Sequence, residues 1–492
     1  MKYRHTLRYS AFFAAIFFVL VVMNSCYKDK GNYTYRPVPS PVVSNLDSVY
    51  NVFIGDSLVI APIINIPGTA DSSLSYMWTI QVPPDLDPND TDVIYHTKDI
   101  RIVFGLGPKE YGVKLTVSNG ANGMKYFYNI KVYGKTGFSS GSTVLTDDNG
   151  TTKLSFIKSN DSVQPDIFEA VNPGVALPGN PTQILAIPQA YQPPIVSYWV
   201  FGKTGANTGV QIDANTFKKM RNFSDNFFSA PDTTLDPELM FVDPLGVISG
   251  NVNGVLYNGT TSTYFLAPTY GMFGGGAVGD YKLSPEIAFN FTGTYGPGNY
   301  IGFDLKTRAF VRFNLYGDAN YFGTQYDVKG TDFDPKNVGM DLIHIQQING
   351  GECFAYFKSE KDSLYELEFN ADFNGSIKVP INITTEGNRL FAKPELINAD
   401  TKWTATQNGI IYFTYQDKIY RYNPLNLDFK TLTTDFGGKQ VTMIKLMDQN
   451  TLVAGVDGSI YYLDISTGNI GTKIKEIDGL PGKVIDIAFR AQ

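Results

Sequence analysis

Two cysteines, three histidines and three tryptophans in 492 residues leave few of the side chains on which most enzyme chemistry is built. A disulfide framework is excluded by the cysteine count, so a chain of this size must be stabilised by burial. The histidines His5, His96 and His344 have no neighbours at metal-ligand or triad spacing, and no H-E-x-x-H occurs. Helical periodicity is almost absent after the first 25 residues. Positive charge is also scarce: 40 Lys and Arg stand against 47 Asp and Glu. The resulting formal charge of −7 lacks the basic excess that a nucleic-acid partner requires, and no nucleic-acid role is expected.

What is present begins at the N-terminus. Lys2, Arg4 and Arg8 precede thirteen apolar residues, Ala11 to Met23, which is the layout of an export signal. Thirteen residues of helix cover about 20 Å, against roughly 30 Å of bilayer hydrocarbon, so a permanent spanning helix is the weaker reading. Met23-Asn24-Ser25-Cys26 resembles the lipobox of bacterial lipoproteins, although Met stands where Leu is usual. That resemblance implies that Cys26 becomes a diacylated N-terminus, with the acyl chains as the membrane link. The alternative is a plain signal peptide with an incidental cysteine. Removing residues 1–25 takes away three positive charges and no negative one, so −7 becomes −10, and Cys353 is left as the only other sulfhydryl.

Residues 32–41 are polar and Pro-containing and suit a tether. From Val42 onward, short runs alternate with period two, expected as strands at 47–53, 57–63, 74–81, 100–104, 111–118 and 125–133. Gly55-Asp56, Pro67-Gly68 and Gly120 punctuate them, and the spacing indicates a small antiparallel sandwich. Trp78 is the natural core plug, and Tyr111 leads the alternating Val113, Leu115 and Val117. With "YMWTI" and "YGVKLTVSNGANG", residues 42–134 resemble PKD domains, which are immunoglobulin-like modules.

After a Gly/Ser-containing joint at 134–141, expected to be flexible, a looser repeat runs to the end of the chain. "STVLTDDNGTTKLSFI", "YIGFDLKTRAFVRFNL" and "LVAGVDGSIYYLDISTGNI" each read as strand, tight turn, strand. At a period of about 40 to 50 residues, one such unit cannot cover both faces of its sheet, whereas several packed together can. The fold class expected is therefore all-β: an N-terminal immunoglobulin-like sandwich followed by a β-propeller-like domain of roughly seven or eight blades. Two stacked sandwiches are the alternative. The last strand, 484–489, is expected to pair with the strand opened by Ser142 to Leu145. The domains are then a signal peptide at 1–25, a lipidated tether at 26–41, the sandwich at 42–134 and the propeller-like domain at 135–492.

"CYKDKGNYTY", "YMWTI", "VLTDDNGTTKLSFI" and "GDYKLSP" together resemble PKD-like lipoproteins of Gram-negative bacteria, with Thr34 replacing an expected acidic residue. The resemblance implies a protein of the cell outer membrane, facing outward and held by its lipid. It also implies partnership with a TonB-dependent transporter of the starch-utilisation type and its lid lipoprotein, in a family for which no enzymatic activity is established, so the protein is not expected to be an enzyme.

Motifs that could carry chemistry each have a plainer reading. Gly137 to Gly141 matches G-x-S-x-G, but a strand follows Ser139 where the nucleophile elbow needs a helix. Gly274, Gly276 and Gly279 match G-x-G-x-x-G, yet Pro285 and a strand follow and that loop has no G-K-[ST]; it is expected to be a mobile loop. Asp147-Asp148-Asn149-Gly150 suits a tight hairpin better than calcium, and Cys353 reads as an inert strand residue. No cofactor and no metal site are expected. The candidate ligand-binding aromatics beside turns are Trp199, Tyr270, Phe273 and Trp403, since flat rings bind sugar faces or peptide side chains. Two functions follow: a non-catalytic accessory or binding lipoprotein for glycan or peptide uptake, or a glycoside hydrolase or lyase using two carboxylates from different blades.

Overall fold

A computed structural model describes residues 40–82, 92–188, 195–242, 246–259, 272–289, 299–314, 319–373 and 381–490. Cys26, the tether before residue 40 and Tyr270 lie outside the described residues.

Nine short strands build the N-terminal sandwich: β1 (Val42–Ser44), β2 (Val49–Phe53), β3 (Ser57–Ile60), β4 (Ile63–Asn65), β5 (Leu74–Gln81), β6 (Val93–Tyr95), β7 (Ile100–Val103), β8 (Glu110–Asn119) and β9 (Lys125–Lys135). One layer is a five-stranded sheet in the order β2-β9-β8-β5-β6, and the pairs β3-β7 and β1-β4 are separate from it. The run expected as one strand from 57 to 63 divides at Ala61-Pro62, where the proline has no N–H for a ladder. Period-two alternation drives Tyr111, Val113, Leu115 and Val117 of β8 inward, where they meet Trp78 in the core. Trp78 is completely buried, and its indole N–H donates to the Lys98 carbonyl at 3.2 Å. Tyr111 is buried too, its hydroxyl donating to the carbonyls of Leu106 and Gly107. Such a corner ties the start of β8 to the loop before it, as in immunoglobulin-like folds.

The joint expected to be flexible is tightly bonded. Thr136 N–H donates to Ser139 Oγ at 2.8 Å, and Ser139 N–H returns to the Thr136 carbonyl at 3.1 Å. The Phe138 ring packs edge-on against Phe156 and Phe217, and Arg490 donates to the Phe138 carbonyl at 2.7 Å. At Gly141, φ is +143° and a Cβ would lie 2.2 Å from the Ile157 carbonyl oxygen, so only glycine can open the next strand. Ser139 therefore serves a turn and enters a strand, without the helix of a nucleophile elbow.

Beyond residue 135 the described strands form six sheets in a propeller-like succession. The six-stranded sheet holds both ends of this region: Gly141–Asp148 pairs with Thr151–Lys158 on one side and with the C-terminal strand Thr472–Arg490 on the other. Ser142 lies opposite Phe489, Val144 opposite Ile487 and Thr146 opposite Val484, the pairing expected from the sequence. Asn149 and Gly150 take positive φ in the first hairpin, with Gly150 N–H bonded to Asp147 Oδ1 at 2.7 Å, so this segment is a turn.

Sheets that expose an apolar face on each side need neighbours, and the packing shows how they obtain them. Phe303 and Phe310 share a core with Phe357 and Phe369 of the next sheet, and Phe354 and Tyr356 share one with Phe413 and Tyr422 of the sheet after that. The opening strands Gly179–Pro188, Pro237–Val242, Leu283–Phe289, Asp341–Asn349, Trp403–Ala405 and Met443–Asp448 touch in series, and both ends of the series touch Thr472–Arg490. In the described part of the glycine loop, expected to be mobile, two glycines pack closely while Gly275 meets open space and Val278 is exposed. A Cβ at Gly279 would sit 2.2 Å from the Tyr321 ring, and one at Gly276 would sit 2.6 Å from Val255.

Separate cores predict two calorimetric transitions. Trp78→Ala should lower the sandwich transition by about 3–5 kcal/mol of stability, and Ile487→Ala, in the closing strand, should lower the other by about 2–5 kcal/mol. A single transition shifted by both substitutions would contradict this division.

Candidate functional site

The series of opening strands brings together polar residues that lie far apart in sequence. In four consecutive sheets the register of the opening strand skips: at Thr182, at Glu238 and Leu239, at residues 284–286, and at Ile343. Bulges of this kind bend a strand and re-aim its side chains, and they gather beside functional sites. Gln183, Glu238, Glu286 and His344 sit at or next to these four skips.

Each of these groups has a defined partner. Gln183 clamps the next opening strand, donating to the Met240 carbonyl at 2.7 Å and accepting from Met240 N–H at 3.1 Å. Gln347 clamps the Leu283–Phe289 strand in the same way, donating to the Phe289 carbonyl at 2.6 Å and accepting from its N–H at 3.0 Å. Asn251 donates to Glu238 Oε2 at 3.2 Å. Glu286 Oε1 lies 3.6 Å from His344 Nδ1. The His344 ring stacks on Trp403, with centroids 5.0 Å apart and planes at 11°. At the end of the series, Lys445 donates to Asp486 Oδ1 at 2.8 Å, while Asp486 Oδ2 accepts from Ile184 N–H at 3.0 Å. Burial pushes the Glu238 carboxyl above its ordinary value; Lys203 pulls it back, and the charges of Asp236 and Glu286 add to the rise.

Trp403 connects this row to a buried ion pair. Its ring stacks on Tyr356 at 4.6 Å, and Tyr356 lies beside Glu366. Glu366, only 1% exposed, bonds to Arg389 and accepts from the Tyr422 hydroxyl at 3.2 Å. Arg389 also donates to the Pro424 carbonyl at 2.6 Å, so this cluster ties two consecutive sheets together. Burial raises the Glu366 carboxyl above its ordinary value, with Arg389 and then Tyr422 opposing.

The other aromatic candidates fare differently. Trp199 is 1% exposed and Phe273 is fully buried, both in one core with Phe201, Phe223 and Phe227. Packing leaves no ring face for a ligand at either residue, which corrects the expectation for both. A position beside a turn in sequence says where the backbone bends, not which way the ring points. Trp403 alone of the described candidates remains half-buried beside polar groups. Glu238, Glu286 and His344 were not singled out as ligand residues from the sequence. The one signal available is the recurrence of Pro237-Glu238 and Pro285-Glu286, each followed by an aliphatic residue, at about one blade period.

Cys353 is fully buried, and burial pushes its thiol up, away from the thiolate. Among the described residues no group of three or more His, Cys, Asp and Glu side chains is placed to hold a metal ion. A separate surface groove of about 440 Å³ lies between residues 150–154 and 166–179, where Lys153 reaches Glu169 at 2.8 Å and Asp166 at 3.3 Å.

A model of the PKD-like family matches residues 26–181, spanning the sandwich, the joint and the hairpin that opens the six-stranded sheet. No curated protein matches the chain. Among solved structures, it is similar to a quinonprotein alcohol dehydrogenase-like protein from Bacteroides thetaiotaomicron at 12% identity and TM-score 0.38, over 93% of this chain and 100% of that one. The extracellular domain of a proposed one component system from B. thetaiotaomicron matches at 10% identity and TM-score 0.39, over 78% of this chain and 57% of that one. A protein of unknown function from Bacteroides caccae matches at 10% identity and TM-score 0.29, over 69% of this chain and 94% of that one. Scores this low carry nothing about ligand or activity.

The buried pair yields a signed prediction. Arg389→Met leaves Glu366 without its cation and should cost about 3–5 kcal/mol at neutral pH. A carboxyl raised in the folded state binds its proton more tightly there than in the unfolded chain. Stability is therefore retained in acid and lost as pH rises above the ordinary carboxyl range. Denaturant melts of the variant should recover stability on acidification toward about pH 5, relative to the parent; a deficit that does not change with pH would rule out the charge on Glu366 as its cause.

Proposed function

We propose that the chain is a lipid-anchored accessory protein of the outer membrane whose propeller-like domain binds a glycan or peptide for a TonB-dependent uptake system, without transforming it. The observation that carries this reading is the row of four bulged strands, which sets Gln183, Glu238, Glu286 and His344 at or next to the bulges of successive touching strands, with His344 stacked on the Trp403 ring. Glu286 and His344 lie side by side, Glu238 is held by Asn251 and Gln183 by the Met240 backbone, an arrangement suited to recognition by preorganised groups and a stacking face. The polar residues of this row lie on strands of the propeller-like domain that touch one another in series, which sets them side by side for a ligand. The anchor is supported from another direction: the PKD-like match begins at Cys26, directly after the export-type segment.

A second reading, a carboxylate-dependent glycoside hydrolase or lyase, is favoured by one observation. Glu238, raised by burial and further by Asp236 and Glu286 against the pull of Lys203, lies on a strand that touches the one bearing Glu286, so two carboxylates come from adjacent sheets.

Extraction of the native protein in mild detergent should bring down a transporter and its lid lipoprotein, with Cys26 acylated by intact mass. Glycan and peptide arrays should give a ligand whose binding weakens in Glu286→Gln. A bare Cys26 thiol, or empty co-purification together with blank arrays, would remove the accessory reading. Turnover of a polysaccharide panel that drops about 100-fold or more in Glu238→Gln would establish the hydrolytic one instead.

A further inference from the structure

The outer face of the five-stranded sheet in the sandwich has a composition unlike the rest of this acidic chain. Register places Val49 opposite Lys131, Phe53 opposite Lys135, Thr116 opposite both Phe127 and Met77, and Thr79 opposite both Lys114 and Ile94. Side chains paired across strands point to the same face, and the alternate set, including Trp78, Leu115, Ile130 and Val132, fills the core. The outward set therefore shares one surface. On it, Phe127 is 59% exposed, Phe53 and Ile94 52% each and Val49 45%. Interleaved with them are Lys114, Lys125, Lys131 and Lys135; within the described strands the acid on this face is Glu110, which pairs with Lys131 at 2.6 Å, and Asp92 stands at the edge beside Val93, accepting from Val82 N–H. Lys114, Lys125 and Lys135 pair with no described carboxylate.

Isolated apolar residues on a surface are ordinary, but large exposed side chains interspersed with unpaired cations mark an interaction face, and the positive charge selects an anionic counterpart. We infer that this face docks on an anionic bilayer surface, Phe127, Phe53 and Ile94 entering the interface while the lysines meet lipid phosphates. Apolar burial and attraction to anionic headgroups add in such contacts, and both fall away within a short distance of the surface. The second layer of the sandwich has exposed aliphatics too, Val59 and Val103, but there Arg101 is neutralised by Asp99 at 3.2 Å and Asp56 is exposed. Charge thus distinguishes the two faces. Distance agrees: β1 starts 16 residues after Cys26, which at full extension reaches about 55 Å, so an acylated Cys26 keeps the sandwich beside the membrane.

This inference rests on acylation at Cys26, so intact mass of the acylated full chain is read first and separately. The chain is then reconstituted in vesicles of phosphatidylcholine with phosphatidylglycerol, and in phosphatidylcholine alone. Cys353 is buried, so Phe127→Cys or Val103→Cys supplies a single site for a nitroxide label. Docking predicts that the label at 127 becomes accessible to oxygen and protected from aqueous nickel complex in the anionic vesicles, while the label at 103 stays in water. High salt should reverse the protection, and Lys114→Gln and Lys125→Gln should each weaken it roughly fivefold. Equal water exposure at 127 and 103 on an acylated chain overturns the proposal and leaves the anchor intact. Protection that appears only when a co-purified protein is added overturns it in favour of a protein partner.

Discussion

The hydrogen-bonded ladder between Gly141–Asp148 and the C-terminal strand is the contact on which the larger domain depends. It joins residues more than 300 positions apart, so its loop-closure cost is large and must be offset by burial along the whole seam. Val144, Val484 and Ile487 are fully buried there. Arg490 completes the seam, donating to the carbonyls of Phe138 and Ala214 and to Asn215 Oδ1, each within 2.7 Å. One guanidinium thereby fixes the joint after the sandwich, the C-terminal strand and the neighbouring sheet. A planar group with several donors suits such a three-way junction, where an ammonium would not.

From that seam the opening strands follow in contact, and their polar residues divide between holding and presenting. Gln183 and Gln347 each bond twice to the backbone of an adjacent opening strand, supplying partners that irregular strands would otherwise lack. Those bonds tie each strand to its neighbour in the series through the backbone of Met240 and Phe289. The bulges in turn place Glu238, Glu286 and His344 on one row, and the Trp403 stack connects the row to the buried Glu366–Arg389 pair between two sheets.

Net charge and local charge point in different directions in this chain. A formal charge of −7 over the chain discourages general adsorption to anionic surfaces, yet the arrangement of charge on one sheet face of the sandwich is locally opposite. Net charge is a property of the whole and decides long-range behaviour. Over a Debye length of about 8 Å at physiological salt, the local pattern decides contact.

Local patterns in the chain were sufficient for the all-β class, for Trp78 and Tyr111 as core residues, for the Asn149-Gly150 turn and for the pairing of the last strand with Ser142 to Leu145. Each of these follows from alternation, turn chemistry or the need to cover a sheet face, and those act within a few residues or on every strand alike. Tertiary structure alone decided that Trp199 and Phe273 are core, that the glycine loop packs against Tyr321, and that Glu238, Glu286 and His344 share a row. The reason is physical: ring direction and bulge position depend on neighbours brought from other sheets, and residues about 50 positions apart meet only once the strands carrying them are packed side by side.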